Sequence, residues 1–184
     1  MTTLAKWSID DYHLMIESGV LNNRSVELLA GEIIEMSPEG PLHRFTNDTV
    51  AEYLRELLRG QAKVFEAHPI TLNNSEPEPD IAVVRLPNSN YLTHHPYPED
   101  IYWLVEISNT TLEEDLGRKK IIYAHAGINE YWIINLKTTE IIIFREPSSD
   151  DYKTKFTVNK GSITPISFPN IQIEIDTLLR HNAT

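Results

Sequence analysis

The sequence predicts a mixed α/β (α+β) fold, a central sheet flanked by helices and preceded by an N-terminal helix and a hairpin. Three observations predict it. The elements read in the order helix, hairpin, helix, three strands, helix, two strands, which suits one mixed sheet with helical layers. The segment "IYWLVEISN" at 101–109 is apolar on both faces up to Glu106, as a strand covered on both sides would be. The chain has 184 residues, 41% of them hydrophobic, enough for one sizeable core and short of space for two. Residues 1–184 therefore read as a single domain.

Each element has a local reason. In "WSIDDYHLMIES", 7–18, Ser8 is the expected N-cap, and Asp10 and Asp11 sit where the helix dipole favours acids. Gly19 is the expected stop. "SVELLAGEIIEMSP", 25–38, reads as a hairpin turning near Ala30-Gly31. Residues 41–60 form a helix with an apolar stripe of Val50, Leu54, Leu57 and Leu58, ended by Gly60. "AKVFEAHPITL", 62–72, reads as a strand, and "DIAVV", 80–84, as the next. Residues 85–100, rich in Pro, Asn, His and Tyr, read as a loop. Residues 110–127 form a helix capped by Thr110 or Thr111 and closed by Gly127. "EYWIINL" and "EIIIFRE" flank Lys137–Thr139 as a second hairpin, with Tyr131 and Trp132 in the core. The tail after it supplies an edge strand and a short terminal helix.

Composition narrows the function. No apolar run approaches the 18 or so residues of a membrane span. The N-terminus lacks a basic segment followed by a long apolar one, so a secretory signal is not expected. There is no cysteine, which excludes disulfides and thiolate metal sites and fits a cytoplasmic location. The net charge is −11, from 16 Lys+Arg against 27 Asp+Glu. That argues against broad non-specific affinity for nucleic acid and leaves room for a local basic patch. Arg44, Lys63, Arg85, Arg118, Lys119 and Lys120 are its candidate members.

Two acids stand out because they interrupt apolar strands. Alternation puts Glu106 on one face of its strand with Tyr102, Leu104 and Ser108, where an ionised carboxylate needs a partner, a metal or water beyond the strand end. Asp80 opens its strand after Pro79. Two readings fit this spacing: a turn acid and a solvated strand end, or two carboxylates gathered around one cation. On the next helix Leu112, Leu116, Lys119, Tyr123 and Ala126 share a face. Lys119 then either snorkels beside Asp115, four residues earlier, or reaches the same strand ends. There it would orient a water or offset phosphoryl charge.

The order Asp80, Glu106, Lys119 resembles that of the PD-(D/E)XK nuclease superfamily. More closely, the chain resembles the Uma2 family, through "VELLAGEIIEMSPEGPLH", "PEPDIAVV", "WLVEISNTTLEEDLGRKKIIYAHAGINEYWII" and the hairpin after it. The resemblance implies a restriction-endonuclease-like fold and a Mg²⁺- or Mn²⁺-dependent endonuclease acting on DNA. It implies that Asp80 and Glu106 are metal ligands, with the backbone carbonyl of Ile107 as a third. The superfamily usually places a lysine two residues after the second acid; here that residue is Ser108, and the basic role falls to Lys119. Glu27 matches a recurrent family acid and is expected at the same cleft, with Glu32 as its rival. His43 also matches but reads more simply as a surface group at a helix start. A homodimer is expected on the family resemblance alone. A catalytically silent binding protein of the same fold, and a hydrolase of small phosphate esters, are the alternatives. Tyr91, His94, His95 and Tyr97 would either stack on bases or pack their own loop.

Overall fold

The computed structural model describes residues 3–179. The first helix, α1 (Ile9–Glu17), begins at Ser8 with a reciprocal capping box. Ser8 Oγ accepts from the Asp11 N–H, and the Asp11 carboxylate accepts from the Ser8 N–H, each at 3.1 Å. Strands β1 (Val26–Leu29) and β2 (Glu32–Glu35) form the expected hairpin. Ala30 and Gly31 both adopt left-handed φ, at 49° and 75°, as a tight two-residue turn requires.

Helix α2 (Pro41–Leu57) leads to a mixed six-stranded sheet. Its strands are β3 (Lys63–Glu66), β4 (Ile81–Val84), β5 (Ile101–Ser108), β6 (Glu130–Asn135), β7 (Glu140–Pro147) and β8 (Tyr152–Val158), adjacent in that order. All neighbours are antiparallel except β5 and β6. A parallel pair needs a crossover, and residues 112–125 provide it on one face of the sheet. The tail adds the short pair β9 (Ser162–Ile163) and β10 (Ile173–Glu174), then α5 (Ile175–Leu178).

Alternation along β5 divides the interior. Trp103, Val105 and Ile107 join α2 and α5 in one core, with Val50, Leu54, Ile175 and Leu178. Leu104 faces the other core, with Tyr123, Tyr131, Ile133 and Phe144. Tyr131 and Trp132 are both fully buried, as expected. No helix among the described residues is long and apolar enough to cross a membrane.

The structure differs from the sequence reading at two elements. The strand expected over 62–72 ends at Glu66. Ala67 takes a left-handed φ of 47°, which turns the chain out of the ladder ahead of Pro69. The helix expected over 110–127 is not uniform. It comprises α3 (Leu112–Glu114), a π-helical turn at Asp115–Lys119, and α4 (Lys120–His125). Such turns insert an extra residue into a helix and occur often at functional sites.

Candidate metal centre

The register of β4 on β5 pairs Ile81 with Val105. Continued by one residue, it sets Asp80 opposite Glu106 at the strand ends. Asp80 Oδ2 accepts the Ile107 N–H at 2.6 Å. In an extended strand a residue's N–H and C=O leave by the same edge. The Ile107 carbonyl therefore points to the Asp80 side, whereas the Ser108 carbonyl turns to the other edge and accepts from Leu136 N–H at 2.9 Å. This is the arrangement that would let the Ile107 carbonyl serve beside Asp80.

Glu106 is 3% exposed. Its Oε1 accepts from Lys119 Nζ at 3.1 Å and from the Tyr123 hydroxyl at 2.7 Å, while Oε2 has no hydrogen bond among the described residues. Lys119, 9% exposed, also lies 3.8 Å from Glu27 Oε2. Glu27 accepts the Glu78 N–H at 3.1 Å. The π-helical turn thus carries Lys119 inward to the strand ends. The alternative pairing with Asp115 is not formed. The Asp115 carboxylate instead accepts from the hydroxyls of Ser108 at 2.6 Å and Thr111 at 2.8 Å.

Two carboxylates therefore contact the ammonium, and two more act on it from further off. Burial opposes the charge on Lys119, but Glu106, Glu27, Asp115 and Asp80 together outweigh it, and its pKa is raised. Lys119 stays protonated. Burial pushes the carboxyl of Glu106 well above the usual range; Lys119 opposes that shift, and the fields of Asp80 and Asp115 add to it. Burial likewise raises Glu27, Asp115 and Glu78. A single lysine does not balance this charge, and a hard divalent cation with oxygen ligands would.

A histidine enters from the first turn of α2, and a further acid, Glu39, from the residues just before it. His43 Nε2 lies 3.2 Å from each Asp80 oxygen. One ligand atom each from Glu39, His43 and Asp80 lie within 4.8 Å of one another, close enough to hold one ion. Glu106 is not part of that group. Burial works against a charge on His43, but its bond to Asp80 and the field of Glu39 prevail and raise its pKa. Its Nδ1 is buried without a partner. The ligand chemistry fits a cation that accepts both oxygen and imidazole nitrogen.

These groups line one cleft of about 860 Å³ that takes in Glu27, Glu39, His43, Glu78, Asp80, Glu106, Asp115 and Lys119. The sequence reading brings Asp80, Glu106, Lys119 and Glu27 to this place, and the structure does gather them. Glu32, the rival of Glu27, is elsewhere; it bridges Lys6 at 2.6 Å and Arg118 at 3.1 Å. His43 is no surface group, because α2 packs its first turn over Asp80. The sequence does not announce Glu39, Glu78 and Asp115 at the cleft, or Tyr123 as the buried hydroxyl behind Glu106. The i, i+4 spacing of Lys119 with Tyr123 was the available signal for the tyrosine.

The expected basic patch is largely neutralised. Arg44 pairs with Glu39, Arg118 with Glu32 and Glu114, Lys120 with Asp151, and Lys119 with the acids above. Lys63 and Arg85 instead lie over the rings of Phe65 and Tyr102.

The Uma2 family model, described as "Putative restriction endonuclease", matches residues 9–176. A crystal structure of a putative nuclease from Anabaena variabilis has the same fold, with a TM-score of 0.68 at 17% identity. The match covers 84% of this chain and 89% of that one. Among curated proteins no significant match is found. The chain belongs to the Uma2 family, within the PD-(D/E)XK nuclease-like superfamily.

Proposed function

We propose that the protein is a divalent-metal-dependent endonuclease that hydrolyses DNA phosphodiester bonds. The observation that supports this best is the excess of buried carboxylates over ammonium at adjoining strand ends. Asp80, Glu106 and the Ile107 carbonyl would hold Mg²⁺ or Mn²⁺. His43 adds a nitrogen donor, which favours Mn²⁺ over Mg²⁺. When bound, the cation supplies a Lewis acid that offsets charge on the scissile phosphate.

The chain's own residues have distinct tasks in this reading. Lys119 orients the attacking water and shields developing negative charge on the phosphoryl oxygens. Glu27 and Glu106 hold the ammonium in place, and the Tyr123 hydroxyl fixes the Glu106 carboxylate. Ser108 stands where the superfamily usually has lysine. Its hydroxyl orients Asp115 instead of the water.

Residues 1–184 are proposed to act as one cytoplasmic domain, with a homodimer suggested by the family resemblance. A second reading is supported by Ser108 and by the net charge of −11: a catalytically silent member of the fold that only binds its partner. A hydrolase of small phosphate esters would keep the metal and dispense with a long basic groove. The deciding experiment incubates supercoiled and linear DNA, and a chromogenic phosphodiester, with wild type and Asp80→Asn in Mn²⁺ or Mg²⁺. Cutting of DNA by wild type alone supports the endonuclease. Turnover of the small ester alone supports the third reading, and no turnover of either supports the second.

A further inference from the structure

A second cleft, of about 550 Å³, lies beside α1 and the 85–100 loop, and it is lined by His13, Thr71, Tyr91, His94, His95 and Tyr97 among others. It connects to the metal cleft through a run of rings. Ala67 lines the metal cleft, and His68 follows it in the chain. His68 stacks on Phe65 at 5.2 Å between centroids. Phe65 meets Tyr91 edge-on at 5.5 Å, and Tyr91 meets His94 edge-on at 6.1 Å. His94 stacks on Tyr97 at 4.6 Å, with the planes 16° apart. Two stacked pairs thus flank the edge of Tyr91.

The ladder is partly open to solvent. His68 is exposed, Tyr97 is 39% exposed, and the neighbouring Leu92 is 82% exposed. The ladder starts on β3, one of the two edge strands of the sheet, through Phe65. Lys63 sits over the Phe65 ring at 5.3 Å and has no carboxylate partner among the described residues. The second cleft itself has little to attract phosphate. Asp10 lines it, and the buried Glu76 beneath holds His13 at 2.9 Å and the Thr71 hydroxyl at 2.7 Å. Rings, rather than cations, are what this surface offers a ligand. Every nucleobase has a face that can stack on them, provided it is unpaired.

We propose that this ladder is a base-stacking track that leads a single strand of nucleic acid from the second cleft to the metal cleft. The inference rests on the endonuclease reading and narrows its substrate to strands with unpaired bases near the cut. A duplex keeps its bases stacked on one another and would present only phosphates to an acidic protein.

The test measures fluorescence anisotropy of labelled 20-residue oligomers with the full chain in EDTA at low salt, so that the metal plays no part. The probes are oligo-dT, an abasic deoxyribose-phosphate of the same length, and a duplex. Oligo-dT is expected to bind about tenfold or more tightly than either other probe. Tyr97→Ala and His94→Ala should each weaken oligo-dT binding about fivefold or more while leaving the thermal midpoint near that of wild type. Thymidine monophosphate at the same base concentration should not compete. Equal binding of the abasic strand, preference for duplex, no effect of either substitution, or competition by the mononucleotide would each overturn the track. DNA cutting without base-dependent binding therefore refutes the track alone, and base-dependent binding without cutting refutes the endonuclease alone.

Discussion

Two buried acids on neighbouring strands live in opposite circumstances. Glu130, at the start of β6, is 0% exposed and fully bonded. It accepts from Arg145 at 2.9 and 2.7 Å, from the Trp132 indole at 2.9 Å and from the Ile166 N–H at 2.8 Å. Glu106, near the end of β5, is nearly as buried. It shares its one ammonium with Glu27, in the field of Asp115 and Asp80, and one of its oxygens has no hydrogen bond among the described residues. The first acid is satisfied by the fold and ties β6, β7 and the tail together. The second is left wanting positive charge at the lip of a cleft. Burial alone does not mark a functional acid; burial without enough counter-charge does.

The strongest way to break this comparison is to neutralise both acids in turn. Glu130→Gln would leave the Arg145 guanidinium without its counter-ion and should lower stability by about 3 kcal/mol or more. Glu106→Gln keeps an acceptor for Tyr123 and Lys119 and relieves a crowd of like charges. It should cost less than about 1.5 kcal/mol, while abolishing metal-dependent cleavage. Urea midpoints of the two variants measure the contrast directly. Similar losses would mean that Glu106 is as structural as Glu130.

Lys119 comes next. Its removal would strand several carboxylates, so Lys119→Ala should destabilise by roughly 3–5 kcal/mol near neutral pH. The loss should shrink as pH falls and the raised carboxyls take up protons. At a pH where the variant is folded, it should not cut DNA. An intact cleavage rate in folded Lys119→Ala would remove the lysine from the chemistry.

Much of this site was legible because carboxylates in apolar strands are conspicuous. Asp80 and Glu106 interrupt two of the most apolar segments, and helical spacing sets Lys119 on one face with Leu116 and Tyr123. Two parts were not legible. The π-helical turn at Asp115–Lys119, where Asp115 accepts from the hydroxyls of Ser108 and Thr111, is announced by no local propensity. The nearness of His43 to Asp80 arises from how α2 packs across the sheet, and the two residues are 37 positions apart. The strand over 62–72 failed for a similar reason. Alanine has no preference for left-handed φ, so nothing in its identity marked Ala67 as a turn.

A subtler effect sharpens the comparison through pH. The folded pKa of Glu27 lies above its ordinary 4.5, because burial disfavours its charge. The folded state therefore holds that proton more tightly than the unfolded chain does. The associated stability is present in full below the unfolded value and is lost as pH rises through the folded one. Glu27→Gln removes this loss. Its thermal midpoint, relative to wild type, should be more favourable at pH 8 than at pH 5. A gain that is the same at both would place Glu27 outside the strained cluster.

The smallest expected effect is at Lys120, whose bond to the half-exposed Asp151 is 2.8 Å long. Lys120→Ala should cost roughly 0.2–1 kcal/mol and leave cleavage unchanged. A loss of cleavage there would overturn the assignment of the basic role to Lys119.

The central claim is that the unbalanced carboxylates form a cation site. Isothermal titration of Mn²⁺ into wild type and Asp80→Asn tests it most directly, with circular dichroism to confirm that both are folded. Wild type should take up the ion with a measurable heat, and Asp80→Asn should give only the heat of dilution. Equal heats from the two proteins, or none from wild type, would contradict the claim.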